Sequence, residues 1–241
     1  MIRTETIAAG RVDGHISHAE RRRGGVLILP TITGVDAHMR ERAQMLAEAG
    51  FTALIWNPYP GHAAPADMAA AQTMAATLND GALGAMTACV DHMLGPMRLA
   101  AVAVLGFCLG GRYAVVLAGK DRRMAACVSY YPSIRVPMKG NETEDALALA
   151  ARIECPVHLV HGSADKVFLQ PVYQKLRDIL EQRKAATMVQ VHPGAVHSFM
   201  RPDLHALAAN ATATRLSWPP TMAFLDACLA ERMAVADKVP A

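Results

Sequence analysis

From about residue 24 onward, short apolar runs alternate with longer amphipathic ones. Six of the short runs have strand character: Gly25 to Leu29, Thr52 to Trp56, Ala101 to Leu105, Ala125 to Ser129, Val157 to Val160 and Met188 to Val191. Continuous apolar stretches of this length fit strands covered on both faces. Between them, His38 to Ala49 places Met39 and Leu46 on one helical face and Arg40, Arg42 and Glu48 outside, with Gly50 as the stop. The same spacing predicts helices at Asp67 to Leu78, Ala82 to Leu94, Gly110 to Leu117, Glu144 to Arg152, Pro171 to Arg183 and Pro220 to Met233. The first 15 or so residues carry a weaker signal, broken by Gly10 and Gly14, of the kind that adds antiparallel strands at a sheet edge. Strands alternating with helices predict an α/β fold with a mostly parallel central sheet and helices on both faces.

Composition narrows this picture. A chain of 241 residues, 52% hydrophobic and 19% charged, fits one α/β domain over residues 1–241. No repeat, low-complexity tract or Pro/Gly/Ser-rich linker divides it. Met68, Met74, Met86 and Met93 sit at helical spacings and read as core packing. A net charge of +3 is too small to imply a nucleic-acid or membrane partner, and Arg21 to Arg23 read as a solvated turn. Arg3 and Glu5 interrupt the apolar run a signal peptide needs. Leu99 to Gly111 is too short to span a bilayer. Five cysteines without a CxxC pair suggest neither a disulfide framework nor zinc, so a reducing cytoplasm is expected. His158, His161, His192 and His205 lack the order of a metal motif, and no metal is expected.

The sharpest chemical signal is Gly106-Phe107-Cys108-Leu109-Gly110-Gly111, directly after the run AVAVL and directly before a helical segment. It has the form of a nucleophile elbow, where the strand turns so abruptly into the helix that side chains two before and two after the nucleophile have no room. Cysteine stands at the centre. The helix N-terminus offers free N–H groups and the positive end of the dipole, which favour a thiolate. Further along, the segment Pro156 to Asp165 delivers an acid just past a strand, and VQVHPGAVHSF delivers His197 after the next strand. Nucleophile, acid, histidine is the chain order of the α/β-hydrolase triad. In those roles His197 takes the thiol proton and returns one to the leaving oxygen, while Asp165 holds the correct tautomer.

Together GFCLGG, HGSAD and PGAVHSFMR resemble the dienelactone hydrolases, and the likeness extends upstream through LPTITGVDAHMRERAQMLAEAGFTALIWNPY, covering roughly residues 24 to 202. The resemblance implies a compact α/β-hydrolase fold without a large lid and without a metal or organic cofactor; a monomer or small homo-oligomer is expected. It implies opening of a lactone or small carboxylic ester through an acyl-enzyme on Cys108, with the backbone N–H groups of Ile32 and Leu109 as oxyanion hole. The substrate-binding position carried over is Arg201; Thr31 stands in the segment aligned with a family active-site residue, and Tyr59, with Trp56 and His62, is a pocket candidate by its place in the loop after the second core strand.

Two departures stand out. Family members that open dienelactone have a glutamate where this chain has Thr31, and a hydroxyl cannot act as a carboxylate base. They also grip the substrate carboxylate with arginines. Arg201, four residues after His197, matches one, but no arginine or lysine occurs between Arg42 and Arg98 to supply another. Two other classes compete with hydrolysis. A thiol redox sensor would use the same low thiol pKa, although no resolving cysteine is near in sequence. A noncatalytic α/β-hydrolase-fold binding protein usually lacks a triad member, and here none is missing.

Overall fold

The computed structural model describes residues 2–21 and 23–236. One sheet of eight strands runs through it: β1 (Arg3–Ala9), β2 (Val12–His18), β3 (Gly25–Leu29), β4 (Thr52–Trp56), β5 (Val102–Phe107), β6 (Met124–Tyr130), β7 (Val157–Gly162) and β8 (Thr187–His192). Their spatial order is β1-β2-β4-β3-β5-β6-β7-β8. β1 pairs antiparallel with β2 and β2 with β4, while the remaining pairs are parallel. The six apolar runs are the six parallel strands, extended by one or two residues at one or both ends in four cases, with Ala101 falling just before β5.

The weak N-terminal signal is a hairpin. Gly10 turns it at φ +61°, and Gly14 lets β2 lie against β4, since a Cβ there would stand 2.0 Å from the Ile55 carbonyl oxygen. The glycines that blur the pattern are the ones the pairing needs.

Seven helices follow the strands among the described residues: α1 (Ala37–Glu48), α2 (Met68–Thr77), α3 (Leu83–Leu94), α4 (Leu109–Lys120), α5 (Ala146–Ala150), α6 (Gln170–Glu181) and α7 (Ala208–Ala236). On one face of the sheet, side chains of α3, α4, α5 and α6 bury Leu27, Val104, Val116, Leu159 and Leu176. On the other, α1 and α7 bury Ile28, Leu46, Leu105, Trp218 and Leu225. Each face removes several large aliphatic side chains from water, worth about 1.5–3 kcal/mol apiece.

Three expectations need correction. Arg42, placed outside, is buried, with its guanidinium 5.1 Å from the centre of the Trp218 ring. A weakly hydrated planar cation tolerates such an aromatic site. The last helix begins at Ala208 rather than Pro220, carrying Pro219 and Pro220 inside it. The carbonyls that these prolines leave without a helical donor belong to Arg215 and Leu216, both on the exposed side. Met86 and Met93 are core residues, but Met68 lines a cavity. In the basic turn Arg21 and Arg23 are exposed, whereas Arg22 lies outside the described residues. No helix is long and apolar enough to cross a membrane among the described residues.

Candidate active site

At the C-terminal end of β5 the chain reverses into α4 through Cys108, whose φ of 55° and ψ of −113° are strained for a non-glycine residue. Close packing enforces this geometry. A Cβ on Gly106 would lie 2.0 Å from the Gly110 carbonyl oxygen, and one on Gly110 would lie 1.9 Å from that of Leu29. The Gly110 N–H donates to Pro30 O at 3.0 Å, locking the loop after β3 against the elbow. Cys108 itself is held through its own N–H to Tyr130 O (3.1 Å) and through its carbonyl, which accepts from Ser133 N (2.9 Å).

Asp165 and His197 arrive from the ends of β7 and β8. One Asp165 oxygen accepts from the Val167 and Phe168 N–H groups at 2.7 and 2.9 Å, which leaves the other facing His197 Nδ1 at 2.8 Å. The Nε2 of the same ring stands 3.0 Å from the Cys108 sulfur. Tyr131 packs edge-on against the imidazole at 5.4 Å. The three residues picked from chain order therefore form one contiguous chain of polar contacts.

Electrostatics favour an ion pair. Burial pushes the His197 pKa down, but the Cys108 sulfur and the Asp165 carboxylate outweigh it and raise it to about 9. Burial likewise raises that of Cys108, yet the His197 charge, its hydrogen bond and the Leu109 N–H bring the net value below the ordinary thiol range. The other four cysteines are buried without such partners, and burial pushes their thiols up. No second cysteine lines the cavity, and all five are free.

Cys108, His197 and Leu109 open onto a cavity of about 540 Å³, within the usual range for small-molecule sites. Its walls include Thr31, Ile32 and Arg201. The Leu109 N–H points at the sulfur, and the Ile32 N–H has no protein acceptor among the described residues. Thr31 does not act on the sulfur. The Thr33 hydroxyl spends its proton on Asp36 at 2.6 Å, so the 2.6 Å contact between Thr31 and Thr33 must use the Thr31 proton.

Arg201 grips Asp203 with two nitrogens, at 3.0 and 2.7 Å. Tyr59 stands behind the wall rather than in it: its hydroxyl donates to Ile32 O at 2.8 Å and steadies that loop. Trp56 is buried against Tyr113 and His62 is exposed, and neither lines the cavity.

Several contributors were not picked from the sequence. α2 forms one wall with Met68, Gln72 and Ala75. The loop after β6 forms another, with Ser133, Arg135 and Lys139. This loop is tied down by a buried pair: Arg112 donates to both Asp80 oxygens, at 2.6 and 3.0 Å, and Asp80 accepts the Thr143 and Glu144 N–H groups. The run Tyr130-Tyr131-Pro132 at a strand end was the available hint. No group of three His, Cys, Asp or Glu side chains is arranged to hold a metal among the described residues.

Comparison with known proteins gives the chain its relatives. The chain is 27% identical over 209 residues to a carboxymethylenebutenolidase of Rhodococcus opacus, covering 83% of this chain and 80% of that one. It is 26% identical over 240 residues to a Bradyrhizobium protein named "Probable 2-oxo-3-(5-oxofuran-2-ylidene)propanoate lactonase", covering 89% and 96%. Among solved structures, a dienelactone hydrolase-like promiscuous phosphotriesterase from metagenomic libraries superposes with a TM-score of 0.78 at 23% identity, covering 94% of this chain and 98% of that one. The dienelactone hydrolase of Anabaena variabilis gives 0.57 at 19% identity, covering 88% and 95%. These two likenesses establish the α/β-hydrolase fold. The model of the dienelactone hydrolase family matches residues 13–229, nearly the whole sheet with its elbow, acid and histidine, and the chain belongs to that family.

Proposed function

We propose that the protein hydrolyses a lactone or small carboxylic ester through a covalent intermediate on Cys108. The observation that carries this reading is the His197 ring, bonded to Asp165 on one nitrogen and to the Cys108 sulfur on the other. The thiolate attacks the substrate carbonyl carbon, and the carbonyl π pair moves to oxygen. Leu109 and Ile32 offer two N–H donors for that oxyanion, each worth about 2.7–4 kcal/mol at the transition state by comparison with other hydrolases.

The His197 imidazolium then gives its Nε2 proton to the ester oxygen as the C–O bond breaks, leaving a thioester on Cys108. The neutral ring next takes a proton from water, whose oxygen attacks the thioester. Collapse of the second tetrahedral species expels the thiolate and frees the acid. Asp165 keeps Nδ1 protonated throughout, so that Nε2 is the nitrogen that exchanges. Arg201 and Thr31 line the substrate space, and Tyr59 acts on it through Ile32.

The test is a panel of small lactones and p-nitrophenyl esters with Cys108→Ala as control, together with mass spectrometry of enzyme quenched during turnover. Activity lost in the variant and an acyl adduct on the Cys108 peptide are expected. Turnover that survives Cys108→Ala would overturn the mechanism.

A further inference from the structure

We infer that the acyl part of the substrate carries a hydrogen-bond-donating group, a hydroxyl or an amine, and that Glu142 receives it at the end of the cavity remote from His197. This inference rests on reading the cavity as an ester- or lactone-hydrolysing site. The cavity has two ends, set over opposite faces of the sheet. His197 and Arg201 border it on the side where Phe199 and Met200 pack with α1 and α7. Leu109, Arg112 and Tyr113, spaced as neighbours on one face of α4, line it on the side where α3 and α4 pack, and Asn141 and Glu142 close that end. The Arg112 N–H donates to the Cys108 carbonyl at 3.2 Å, so Arg112 stands one helical turn, about 5.4 Å, beyond the nucleophile. His197 hands its proton to the leaving oxygen, which places the leaving group at the first end. The acyl remainder is then turned along α4 toward the second.

The second end has acceptors to spare. Glu142, its side chain 8% exposed, stands 3.6 Å from Arg112 Nε and accepts the Lys139 backbone N–H at 3.2 Å, both through Oε2. Its Oε1 makes no hydrogen bond with another described residue and is not sealed in protein, so it is open to the cavity. Asn141 points its amide nitrogen at the Leu78 carbonyl, which leaves the amide oxygen free. The donors beside them are committed, Arg112 to Asp80 and Glu144 O, and the Tyr113 hydroxyl to Asn79 O. Charge runs the same way. One guanidinium meets two carboxylates, Asp80 and Glu142, so this end carries surplus negative charge. Lys139 is exposed, and its ammonium makes no ion pair with a described residue. A carboxylate oxygen withdrawn from bulk water and left without a donor gains most from one that the substrate brings, because a charge-assisted bond replaces the lost hydration.

The experiment uses p-nitrophenyl esters of 6-hydroxyhexanoic, 7-hydroxyheptanoic and 8-hydroxyoctanoic acids and of the corresponding ω-amino acids. Each is compared with the counterpart that ends in methyl instead, in wild type, Glu142→Gln and Glu142→Ala. In Glu142→Gln the amide oxygen keeps the Lys139 N–H, so the NH₂ turns to the cavity and an acceptor becomes a donor. Wild type is expected to prefer the donor-ended ester at one chain length at least. Loss of a bond to a charged acceptor lowers that ratio of kcat/KM, donor over methyl, by about tenfold or more in both variants. A preference confined to the hydroxyl esters marks a neutral donor and one confined to the amino esters a cation, and either supports the inference. No preference for a donor at any length, or a ratio within about twofold of wild type in both variants, overturns it. If wild type hydrolyses none of the esters, the hydrolase reading fails on its own. Calorimetry with the anilides of the same acids then decides the inference. It stands if wild type binds a donor-ended anilide more tightly than its methyl counterpart and Glu142→Gln abolishes that preference, and falls if all bind alike or none binds.

Discussion

The Nε2 of His197 and the sulfur of Cys108 lie 3.0 Å apart, close enough to share a proton with no movement of either element. Thr31 leaves them undisturbed, because its hydroxyl is turned to Thr33 and from there to Asp36. The thiolate is therefore expected in the resting enzyme. Alkylation of Cys108 by iodoacetamide, read on its peptide by mass spectrometry, should follow an apparent pKa well below the free value of about 8.5. The other four thiols, buried and pushed up, serve as internal controls and need not be replaced. Thr31→Glu should move the profile up by at least about one unit, since a carboxylate beside the sulfur opposes its charge. A wild-type profile centred on the free value, or one indifferent to Thr31→Glu, would show that this position does not control the thiol.

The pH dependence of turnover follows from the same pair. Below the lowered Cys108 pKa both groups are protonated and no nucleophile exists. Above the raised His197 pKa, about 9, the thiolate remains but the proton for the leaving oxygen is gone. Activity on lactones and alkyl esters should therefore rise on the acid side and fall through about pH 9, with apparent values that belong to the pair. The basic fall should be shallow for p-nitrophenyl esters, whose leaving group needs no proton. Lactone turnover that stays flat far above that point would count against His197 as the acid.

What the sequence revealed and what it hid have physical causes. Strands β3 to β7 were legible because helices cover both faces of the sheet, so every residue of each is buried and the runs are mostly apolar, whereas the edge strand β8 is only partly buried and was read from Met188, Val189 and Val191. The β1–β2 hairpin was faint because β1 is exposed and β2 owes its place to Gly14. Cys108, Asp165 and His197 were legible because each follows its strand directly, where parallel strands end on one side of the sheet. Arg135 and the Arg112–Asp80 pair were not. Their positions depend on how residues 131–145 fold back, and that stretch has no period to read.

The Arg112–Asp80 pair shapes the cavity from behind, with both side chains about 2% exposed. Cutting Arg112 to Ala strands the Asp80 carboxylate in the interior and removes a donor to Glu144 O. A loss of about 3–5 kcal/mol of stability is expected, measured by urea denaturation. Replacing both partners, as Arg112→Met with Asp80→Leu, should cost less than the single change, because the Asp80 carboxylate is no longer stranded, although Glu142, 3.6 Å from Arg112, loses that partner in both variants. That variant also frees the Thr143 and Glu144 N–H groups, so the loop carrying Arg135 and Lys139 should loosen and exchange amide hydrogens faster. A single variant as stable as wild type would mean that the pair contributes nothing.

Asp165→Asn separates charge and tautomer from shape. In the native site one Asp165 oxygen takes the Val167 and Phe168 N–H groups, which an amide nitrogen cannot accept. The asparagine must keep its oxygen on that side and turn its NH₂ toward His197 Nδ1. A donor facing Nδ1 makes that nitrogen the acceptor and moves the ring proton to Nε2, so the neutral ring can no longer take a proton from Cys108. It also removes the carboxylate that helps raise the His197 pKa, and the imidazolium becomes scarce. The fold should persist, because the substitution keeps the volume and the two loop hydrogen bonds. Turnover should fall by about 10³–10⁴-fold, as expected when a triad histidine is held in the wrong tautomer, and Cys108 alkylation should shift to higher pH. Circular dichroism and ester kinetics on the same preparation check both halves. If a folded Asp165→Asn enzyme keeps turnover within about tenfold of wild type, Asp165 does not set the state of His197.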